Sequence, residues 1–369
     1  MDHSADTTLP MTFVQGLLEG ARNISGPVDI QAFVSAAGIA DHLLLAPGAR
    51  VTYDQFVRLY QQVALGTDDE VMGQFSRRIR SGTLKFLCSS LLDAKSLGNA
   101  MYRFTRFWNL LLDDYQLDYT EQAGQVMISL EARNSAAQAQ RFGHELIMKL
   151  AHGVASWLAG QEIPLRGVVF SFPRPVYASE YMHMFPAPIT FEQPCTALYF
   201  DANWGAVKFR RSKAELLTFL QAAPRYWLFT TLKERLVAQQ VRQYLLANIK
   251  QDEKIQRVAT ALLFSTRTLT RRLKDEGTSY QQVKDGLRRD IAVQQLIHTD
   301  LSITQIAQEV GFDCTAVFHR AFRGWTGSTP GAYRRGFVGA SSLGLDADRG
   351  PQAQRCQEVI IGARFQPFR

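Results

Sequence analysis

Two stretches of the chain repeat one pattern, IQRVATALLFSTRTLTRRL at 255–273 and ITQIAQEVGFDCTAVFHRAF at 303–322. Four apolar residues at positions i, i+3, i+4 and i+7 open the first stretch: Ile255, Val258, Ala259 and Leu262. The same spacing returns 48 residues later. Because these positions share one face of a helix, each stripe predicts a helix of about two turns. The repeat indicates two copies of one small structural unit.

A tight turn and a second helix are predicted after each stripe. The turns are Leu263-Phe264 in the first copy and Gly311-Phe312 in the second. Ser265 and Asp313 come next, and their side-chain oxygens can accept hydrogen bonds from free N–H groups at the start of a helix. We therefore expect them to cap the second helices.

The second helices keep the repeat with an offset of 49 residues, since Leu269 and Leu273 correspond to Phe318 and Phe322. Two short helices joined by a short turn form a helix-turn-helix, whose second helix enters the major groove of DNA. The two units are predicted at about 252–277 and 302–324.

Both copies are predicted to end in the same way. Gly277 and Gly327 suit the left-handed position that closes a helix. Ser279 and Thr329-Pro330 are suited to begin the helix that follows.

The outer faces of the second helices are polar and basic, as direct readout of DNA requires. Arginine can bond both acceptors on the edge of guanine, and threonine or histidine can bond or pack against base edges. For any single arginine, contact with phosphate or solvent is the alternative. The candidate DNA-contacting residues are Thr266, Arg267, Thr270, Arg271, Arg272, Thr315, Ala316, His319, Arg320 and Arg323.

The net charge of +7 lies in the same part of the chain. Between Thr231 and Arg335 there are 17 basic and 10 acidic residues, and the remainder of the chain has 24 of each. Nucleic-acid binders concentrate positive charge where the phosphates lie, although solvated helix faces are also basic.

The predicted fold class is α+β, with a mixed α/β N-terminal domain and an all-α C-terminal domain that contains both helix-turn-helix units. The predicted boundaries are a flexible arm at 1–25, the α/β domain at 26–225, the DNA-binding domain at 226–335 and a flexible tail at 336–369. Strands are expected at 126–132, 167–172, 189–192 and 196–200. Alternating apolar residues predict a hairpin around 81–92.

Several other classes of protein are disfavoured. No apolar run is long enough for a membrane span and the N-terminus lacks a basic leader, so we expect a cytoplasmic protein. Neither a metal site nor a cofactor is signalled. His144-Glu145 begins an HExxH zinc-protease pattern, but Met148 replaces the second histidine. Cys88 and Cys195 lack a neighbouring pattern that would activate a thiol, so buried cysteines are favoured over a cysteine-dependent enzyme.

The C-terminal segment resembles the DNA-binding domain of the AraC/XylS family over about 100 residues. The residues that carry the resemblance are Gly311-Phe312 through Phe318, Arg320 to Arg323, Trp325-Thr326-Gly327, Thr329-Pro330, Tyr333-Arg334 and the run STRTLTRRLKDEG at 265–277. Residues 287–297 resemble the family's connecting helix. Leu263 stands where the family often has a glycine, and Gly324 where a basic residue is usual.

The N-terminal region, about 30–224, resembles the larger sensor domain of one branch of this family. The resemblance is carried by YASEY at 177–181, FEQP at 191–194 and LYFD at 198–201. It implies a transcription regulator, not an enzyme, whose partners are double-stranded promoter DNA, RNA polymerase, a small effector and, for self-association, a second copy. An architectural or constitutive DNA binder whose N-terminal domain only dimerises is the alternative.

No effector-binding residue is assigned from the sequence. The aromatic stripe Tyr102, Phe104, Phe107 and Trp108 could line an effector pocket, with Arg103 and Arg106 between its members. Core packing is the favoured interpretation of this stripe.

Overall fold

The computed structural model describes residues 8–24, 28–46, 48–134, 141–228, 237–249, 251, 253–276 and 278–341. The N-terminal domain contains helices α1 (Met11–Arg22), α2 (Ile30–Ala36), α3 (Tyr53–Thr67), α4 (Thr83–Leu91), α5 (Leu97–Asn109), α6 (Arg141–Ala159), α7 (Lys213–Gln221) and α8 (Arg225–Leu228). Its strands are β1 (Thr8–Pro10), β2 (Arg50–Thr52), β3 (Tyr115–Gln122), β4 (Gln125–Ala132), β5 (Leu165–Val169), β6 (Ile189–Thr190) and β7 (Thr196–Asp201). None of the helices described is long and apolar enough to span a bilayer.

Strands β3 to β7 form one mixed sheet in the order β3-β4-β7-β5-β6. All neighbours are antiparallel except β5 and β6. Val126, Ile128 and Leu130 alternate along β4 and are buried, because every second side chain points to the same face of a sheet. A strand occurs in each of the four predicted regions, although β5 ends at Val169 and β6 at Thr190, earlier than predicted. Strand β3 was not predicted by the sequence patterns.

Helix α6 lies at the centre of the domain and is buried on nearly all sides. Its polar groups therefore bond to neighbouring segments. His144 Nδ1 is hydrogen-bonded to the Thr196 hydroxyl at 2.9 Å, and His152 Nε2 lies 2.8 Å from the carbonyl oxygen of Ile163. The Tyr181 hydroxyl donates to Glu145. These bonds fix the loops around α6 to its surface.

Three predictions for this domain are wrong. The first described residues are not a flexible arm, because β1 pairs with β2 and α1 buries Phe13, Val14 and Leu17. The predicted hairpin around 81–92 is instead helix α4, Thr83–Leu91. The boundary at 225 falls too early, since Trp227 and Leu228 are buried in the core of the N-terminal domain.

The C-terminal domain is entirely helical in the residues described. Its helices are α9 (Val237–Ala247), α10 (Ile255–Ala261), α11 (Thr266–Asp275), α12 (Tyr280–His298), α13 (Ile303–Glu309), α14 (Thr315–Thr326) and α15 (Pro330–Ser341). The predicted tail begins too early, because α15 extends to Ser341. The remainder of that predicted tail, 342–369, lies outside the described residues, as do 1–7 of the predicted arm.

The two helix-turn-helix units are anchored differently. Val258, Leu269 and Leu273 of the first unit belong to a small core of the C-terminal domain itself. Phe318 and Phe322 of the second unit belong to the same continuous apolar core as the N-terminal domain. The second unit is therefore packed on the N-terminal domain, while the first is held by α9 and α12.

A buried polar cluster joins the two domains, which we call the docking cluster: Thr8, Arg50, Glu180, Asp290 and Tyr333. The Arg50 guanidinium donates to both carboxylate oxygens of Glu180 at 2.9 and 3.0 Å and to the hydroxyl and carbonyl oxygens of Thr8. The Thr8 hydroxyl donates to Asp290 of α12, and the Tyr333 hydroxyl of α15 donates to the Arg50 carbonyl oxygen. Each of these hydrogen bonds involves Thr8 of β1 or Arg50 of β2. The contact between the two domains through this cluster therefore depends on the pairing of β1 with β2.

Glu145 makes stability depend on pH, because burial raises its pKa to about 8, well above the usual range of a glutamate. Its folded-state pKa exceeds the unfolded value, so the folded chain binds more protons between about pH 4.5 and 8 and stability falls as pH rises through that window. We expect Glu145→Gln to remove this loss. The free energy of unfolding of the variant, relative to that of the wild type, should then rise by up to ~1.4 kcal/mol for each pH unit across this window.

Urea unfolding of both proteins between pH 5 and 8 measures the difference. Glu131→Gln, at an exposed position on β4, is the matched control and should follow the wild type. Parallel pH profiles for the wild type and Glu145→Gln would contradict the prediction.

Candidate nucleic-acid interface

The first unit consists of α10, a tight turn and α11. Val258 and Ala259 of α10 are buried against Leu269 and Leu273 of α11. The Ser265 hydroxyl accepts a hydrogen bond from the backbone N–H of Thr268 at 3.1 Å, so the predicted N-cap is confirmed. The predicted closing glycine, Gly277, lies outside the described residues.

The second unit consists of α13 and α14, and its side-chain cap lies on the first helix of the unit instead of the second. Ser302 and Gln305 form a capping box at the start of α13. Gly327 ends α14 with a φ of 73°, as predicted. The N-cap of α14 is Cys314, not the predicted Asp313, and its side chain forms no capping hydrogen bond. The extra residue of the second copy therefore lies in the turn, before the helix begins.

The turns of the two units share one backbone conformation. Gly311 has a φ of 77° and Leu263, at the equivalent position, has a φ of 59°. Both values lie in the left-handed region, where a side chain costs ~1–2 kcal/mol. A Cβ on Gly311 would lie 2.6 Å from the Ile249 carbonyl oxygen, so glycine is required there. At Leu263 the side chain is 93% exposed, so the first turn tolerates leucine only at the cost of strain.

Most of the predicted DNA-contacting residues lie on exposed faces of α11 and α14. The exposed members are Arg267, Thr270, Arg271, Arg272, Ala316, Arg320 and Arg323. The half-buried members are Thr266, Thr315 and His319. Each helix thus presents one polar, basic face opposite its buried apolar residues.

Two of these side chains have intramolecular contacts that limit their freedom. The Arg272 guanidinium lies over the Phe264 ring, 4.7 Å from its centroid. The Thr270 hydroxyl donates to the backbone carbonyl oxygen of Thr266 at 2.9 Å. Arg271 and Arg320, at equivalent positions, form no ion pair within the described parts of the chain.

Two residues on these faces were not singled out in the sequence. Val317 is 43% exposed on α14, between Ala316 and Phe318. An apolar side chain here is suited to contact a thymine methyl group. Lys274 is exposed on α11 at the position that corresponds to Arg323. The 49-residue offset could have identified Lys274 from Arg323, but it relates Val317 to Thr268, which no sequence pattern singled out.

Other basic residues of this domain hold the fold together. Arg242 and Arg289 both bond to Asp290 on α12, at 3.1 and 3.2 Å. Arg288 donates to the Gly311 carbonyl oxygen at 3.0 Å and lies over the Phe312 ring. The positive charge counted in the sequence is therefore divided between structural arginines and arginines that face solvent.

The remaining candidates from the sequence do not form a reactive site. Burial raises the pKa of the Cys88 and Cys195 thiols. Burial also lowers the pKa of His144 to about 4. No group of residues suited to hold a metal ion is found in the part of the chain that the structure describes.

The aromatic stripe on α5 is divided between the core and the surface. Phe104 is fully buried, as the core-packing interpretation predicts. Tyr102 and Phe107 line an open groove together with Arg103 and Arg106. Trp108 is buried and lines a different cavity.

Comparison with family models matches two segments of the chain. Residues 28–208 match the arabinose-binding domain of AraC transcription regulator, N-terminal. Residues 258–336 match a helix-turn-helix domain. The second segment contains both recognition helices, α11 and α14.

Two characterised relatives match the chain over very different lengths. The chain is 27% identical over 327 residues to the ornithine utilization regulator of Pseudomonas aeruginosa, which covers 88% of this chain and 96% of that protein. It is 40% identical over 73 residues to the porin thermoregulatory protein EnvY of Escherichia coli, 20% of this chain and 29% of EnvY. The first relative spans both domains.

Among solved structures, the transcriptional regulator CdpR from Pseudomonas aeruginosa is 22% identical and covers 84% of this chain and 99% of its own, with a TM-score of 0.29. The DNA-binding domain of AdpA, in complex with a target DNA, is 25% identical and covers 30% of this chain and 98% of its own, with a TM-score of 0.27.

The left-handed turn at Leu263 gives a direct test of the first unit. Leu263→Gly should raise the free energy of unfolding by ~0.5–1 kcal/mol relative to Leu263→Ala, because only glycine relieves the strain at positive φ. Leu263→Ala is the matched control, since it removes the same exposed side chain and keeps a Cβ. Equal stabilities of the two variants in urea unfolding would show that this turn is not left-handed.

Proposed function

The chain belongs to the AraC family of DNA-binding transcription regulators, which are not enzymes, and from that premise we propose that it reads a bipartite promoter site with α11 and α14 under the control of a small-molecule effector. The proposed base-contacting residues are the ten on the outer faces of these helices, together with Val317. Lys274 is proposed to contact phosphate.

The observation that carries this proposal is the equivalence of Arg271 and Arg320. Both guanidinium groups are exposed at the same position of the two recognition helices. Neither is paired with a carboxylate in the described chain, whereas Arg242 and Arg289 are held by Asp290. An exposed arginine without a carboxylate partner can reach the O6 and N7 acceptors of guanine without first breaking an ion pair.

Helix α12 supports simultaneous docking of the two units. It is 19 residues long and runs between them. Arg288 ties it to the turn of the second unit through the Gly311 carbonyl oxygen, while Leu287 is buried in the core of the first unit. A connector held at both units favours recognition helices fixed in successive major grooves, about 34 Å apart along the duplex.

The remaining parts of the proposal concern partners and location. We propose that the protein acts in the cytoplasm, that RNA polymerase is its partner at the promoter, and that it can self-associate as a dimer. Whether it activates or represses depends on where its site lies relative to the promoter. An architectural role, with an N-terminal domain that only dimerises, predicts DNA affinity that no ligand changes.

The arginines give the sharpest test of sequence-specific readout. Arg271→Ala or Arg320→Ala should cost roughly 1–3 kcal/mol in binding at the specific site, about 5- to 150-fold in Kd, and should relax base preference at one position. The site is first obtained by sequencing genomic fragments that the purified protein retains at physiological salt with competitor DNA present. Fluorescence anisotropy then measures affinity for that site and for random DNA.

Arg22→Ala, at an exposed position on α1 in the N-terminal domain, is the control and should leave both affinities unchanged. An equal loss on specific and random DNA would contradict the assignment of base contacts and would reduce these arginines to phosphate contacts.

A further inference from the structure

An open groove lies on the N-terminal domain beside helix α5 and β3, an edge strand of the sheet. Its volume is about 800 Å³, within the range of roughly 300–1,000 Å³ that is typical of small-molecule sites. Most of the lining residues belong to α5 or follow it directly, while Ser90 of α4, Gln116 of β3 and Arg133, next to the end of β4, complete the lining. The groove is therefore formed by several neighbouring elements of the fold rather than by one loop.

Three guanidinium groups line this groove, and none of its described lining residues is acidic. They belong to Arg103, Arg106 and Arg133, and all three side chains are exposed. Arg103 and Arg106 are neighbours on α5, because residues three positions apart lie on the same face of a helix. A cleft lined by one sign of charge focuses the electric field and concentrates ions of the opposite sign. The charge of the groove therefore suits an anion.

Hydrogen bonds to the backbone hold two of these guanidinium groups without neutralising them. Arg103 donates to the Ser90 carbonyl oxygen at 3.1 Å, and Arg133 donates through Nε to the Tyr115 carbonyl oxygen at 2.9 Å. Arg106 forms no hydrogen bond or ion pair within the described ranges of the chain. All three groups therefore keep N–H donors for a ligand, and a carboxylate can accept two parallel hydrogen bonds from one guanidinium.

Two carboxylates that follow α5 in the chain are bonded to other groups. Asp113 pairs with Arg77, at 3.6 Å. Asp118 accepts a hydrogen bond from the side-chain amide of Gln116 at 2.8 Å. Neither of them neutralises an arginine of the groove.

Apolar surface lies beside these charges. Tyr102 is 54% exposed, Leu110 is 76% exposed, and Phe107 is half-buried. All three line the groove. Covering exposed apolar surface is favourable, and aromatic rings prefer stacked or edge-to-face contact with another ring. The groove therefore suits an anion with a flat apolar body better than a simple inorganic anion.

Helix α5 also links the groove to the end of the N-terminal domain. It packs against α6, and α6 packs against α8. Gly153 of α6 approaches α8 so closely that a Cβ on this glycine would lie 2.4 Å from the Trp227 Cβ. Helix α8 is the last described helix before residues 229–236, and α9 of the DNA-binding domain follows them. A shift of α5 on ligand binding would therefore reach α8 through one closely packed helix.

We infer that this groove is a ligand site and that it takes a small molecule with a flat apolar body and two acidic groups. Arg103 and Arg106 bind one acidic group, Arg133 binds the other, and Tyr102 and Leu110 cover the apolar body. The inference rests on the proposed effector control and deepens it, because it names the chemical class of the effector. A cation would be repelled by this groove, and a neutral polyol would leave its guanidinium charges unbalanced.

Isothermal titration of the full-length protein with four probes tests this chemistry. Terephthalate has an aromatic ring between two carboxylates, benzoate has one carboxylate, benzamide has none, and adipate has two carboxylates without a ring. We expect saturable binding of terephthalate at millimolar or lower concentration, at least about fivefold tighter than that of each comparison probe, because each of them lacks a charged hydrogen bond or the ring contact. A smaller difference for any comparison probe, or no saturable binding of terephthalate, would overturn the inference.

An arginine variant locates the site. Arg106→Gln removes a charge that has no bond within the described chain, so it should fold normally and weaken terephthalate binding at least about fivefold. Arg210→Gln, at an exposed position that is not part of the groove, is the matched control and should change binding less than about twofold. Unchanged binding in Arg106→Gln, or an equal loss in both variants, would overturn the inference.

A second variant blocks the groove instead of removing a donor. Leu110→Glu places a carboxylate among the three arginines and should abolish saturable terephthalate binding. Leu45→Glu, at an 88% exposed position outside the groove, should retain it. Circular dichroism confirms that each variant folds. Unchanged binding in Leu110→Glu would place the ligand elsewhere and contradict the assignment.

Binding of the same preparations to promoter DNA separates this inference from the proposed function. An effector must change the affinity for the promoter site, so equal Kd values with and without saturating terephthalate would overturn the effector role of the groove. If terephthalate fails to bind while the protein still selects its promoter site, only the inference about the groove is overturned. If terephthalate binds as expected and no specific DNA is retained, the ligand chemistry of the groove stands and the bipartite readout fails.

Discussion

The arrangement of the two domains depends on one buried guanidinium group. Arg50 is almost fully buried, and burial without partners would strongly disfavour its charge. Glu180 and Asp290 compensate for that burial, and together they keep the pKa of Arg50 above its usual value. Burial alone would raise the pKa of Asp290, but Arg289, Arg242 and Arg50 lower it instead. Arg50 and Glu180 belong to the N-terminal domain, and Asp290 belongs to the C-terminal domain. Neither domain alone therefore contains all the charges that balance one another in this cluster.

With the domains held in this way, the two helix-turn-helix units differ in how they pack against the N-terminal domain. The second unit shares its apolar core with the N-terminal domain, and Gly48 approaches the end of α14 so closely that a Cβ would lie 3.3 Å from the Trp325 carbonyl oxygen. The first unit has its own small core and reaches the rest of the molecule through α9 and α12. A change at Gly48, just before β2, would therefore reach the second unit by direct contact, and the first only through α9 and α12. Such a difference allows an effector to alter the relation between the two recognition helices.

Local periodicity explains what the sequence could predict. The helix-turn-helix repeat depends on i, i+3, i+4 spacing and on caps such as Ser265, which act within a few residues, so both units and most of their exposed faces were predicted. The errors have non-local causes. Residues 81–92 showed a short alternation of apolar residues, but Glu70 accepts the N–H groups of Gly82 and Leu84 at the start of α4 and favours a helix. Strand β1 is ordered by β2 and by Asp290, and the latter lies 282 residues away in sequence. The cavity lined by Leu65, Leu150 and Trp227 likewise combines residues of α3, α6 and α8, which no single pattern connects.

The most direct test of this account is a double-mutant cycle between Arg50 and Asp290 in the full-length protein. Urea unfolding of the wild type, Arg50→Gln, Asp290→Asn and the double variant gives the coupling free energy of the pair. The account predicts that the two single losses are not additive and that the pair is coupled by ~1–3 kcal/mol, as expected for groups that share one buried network. Losses that add within ~0.5 kcal/mol would mean that the two domains do not depend on this cluster.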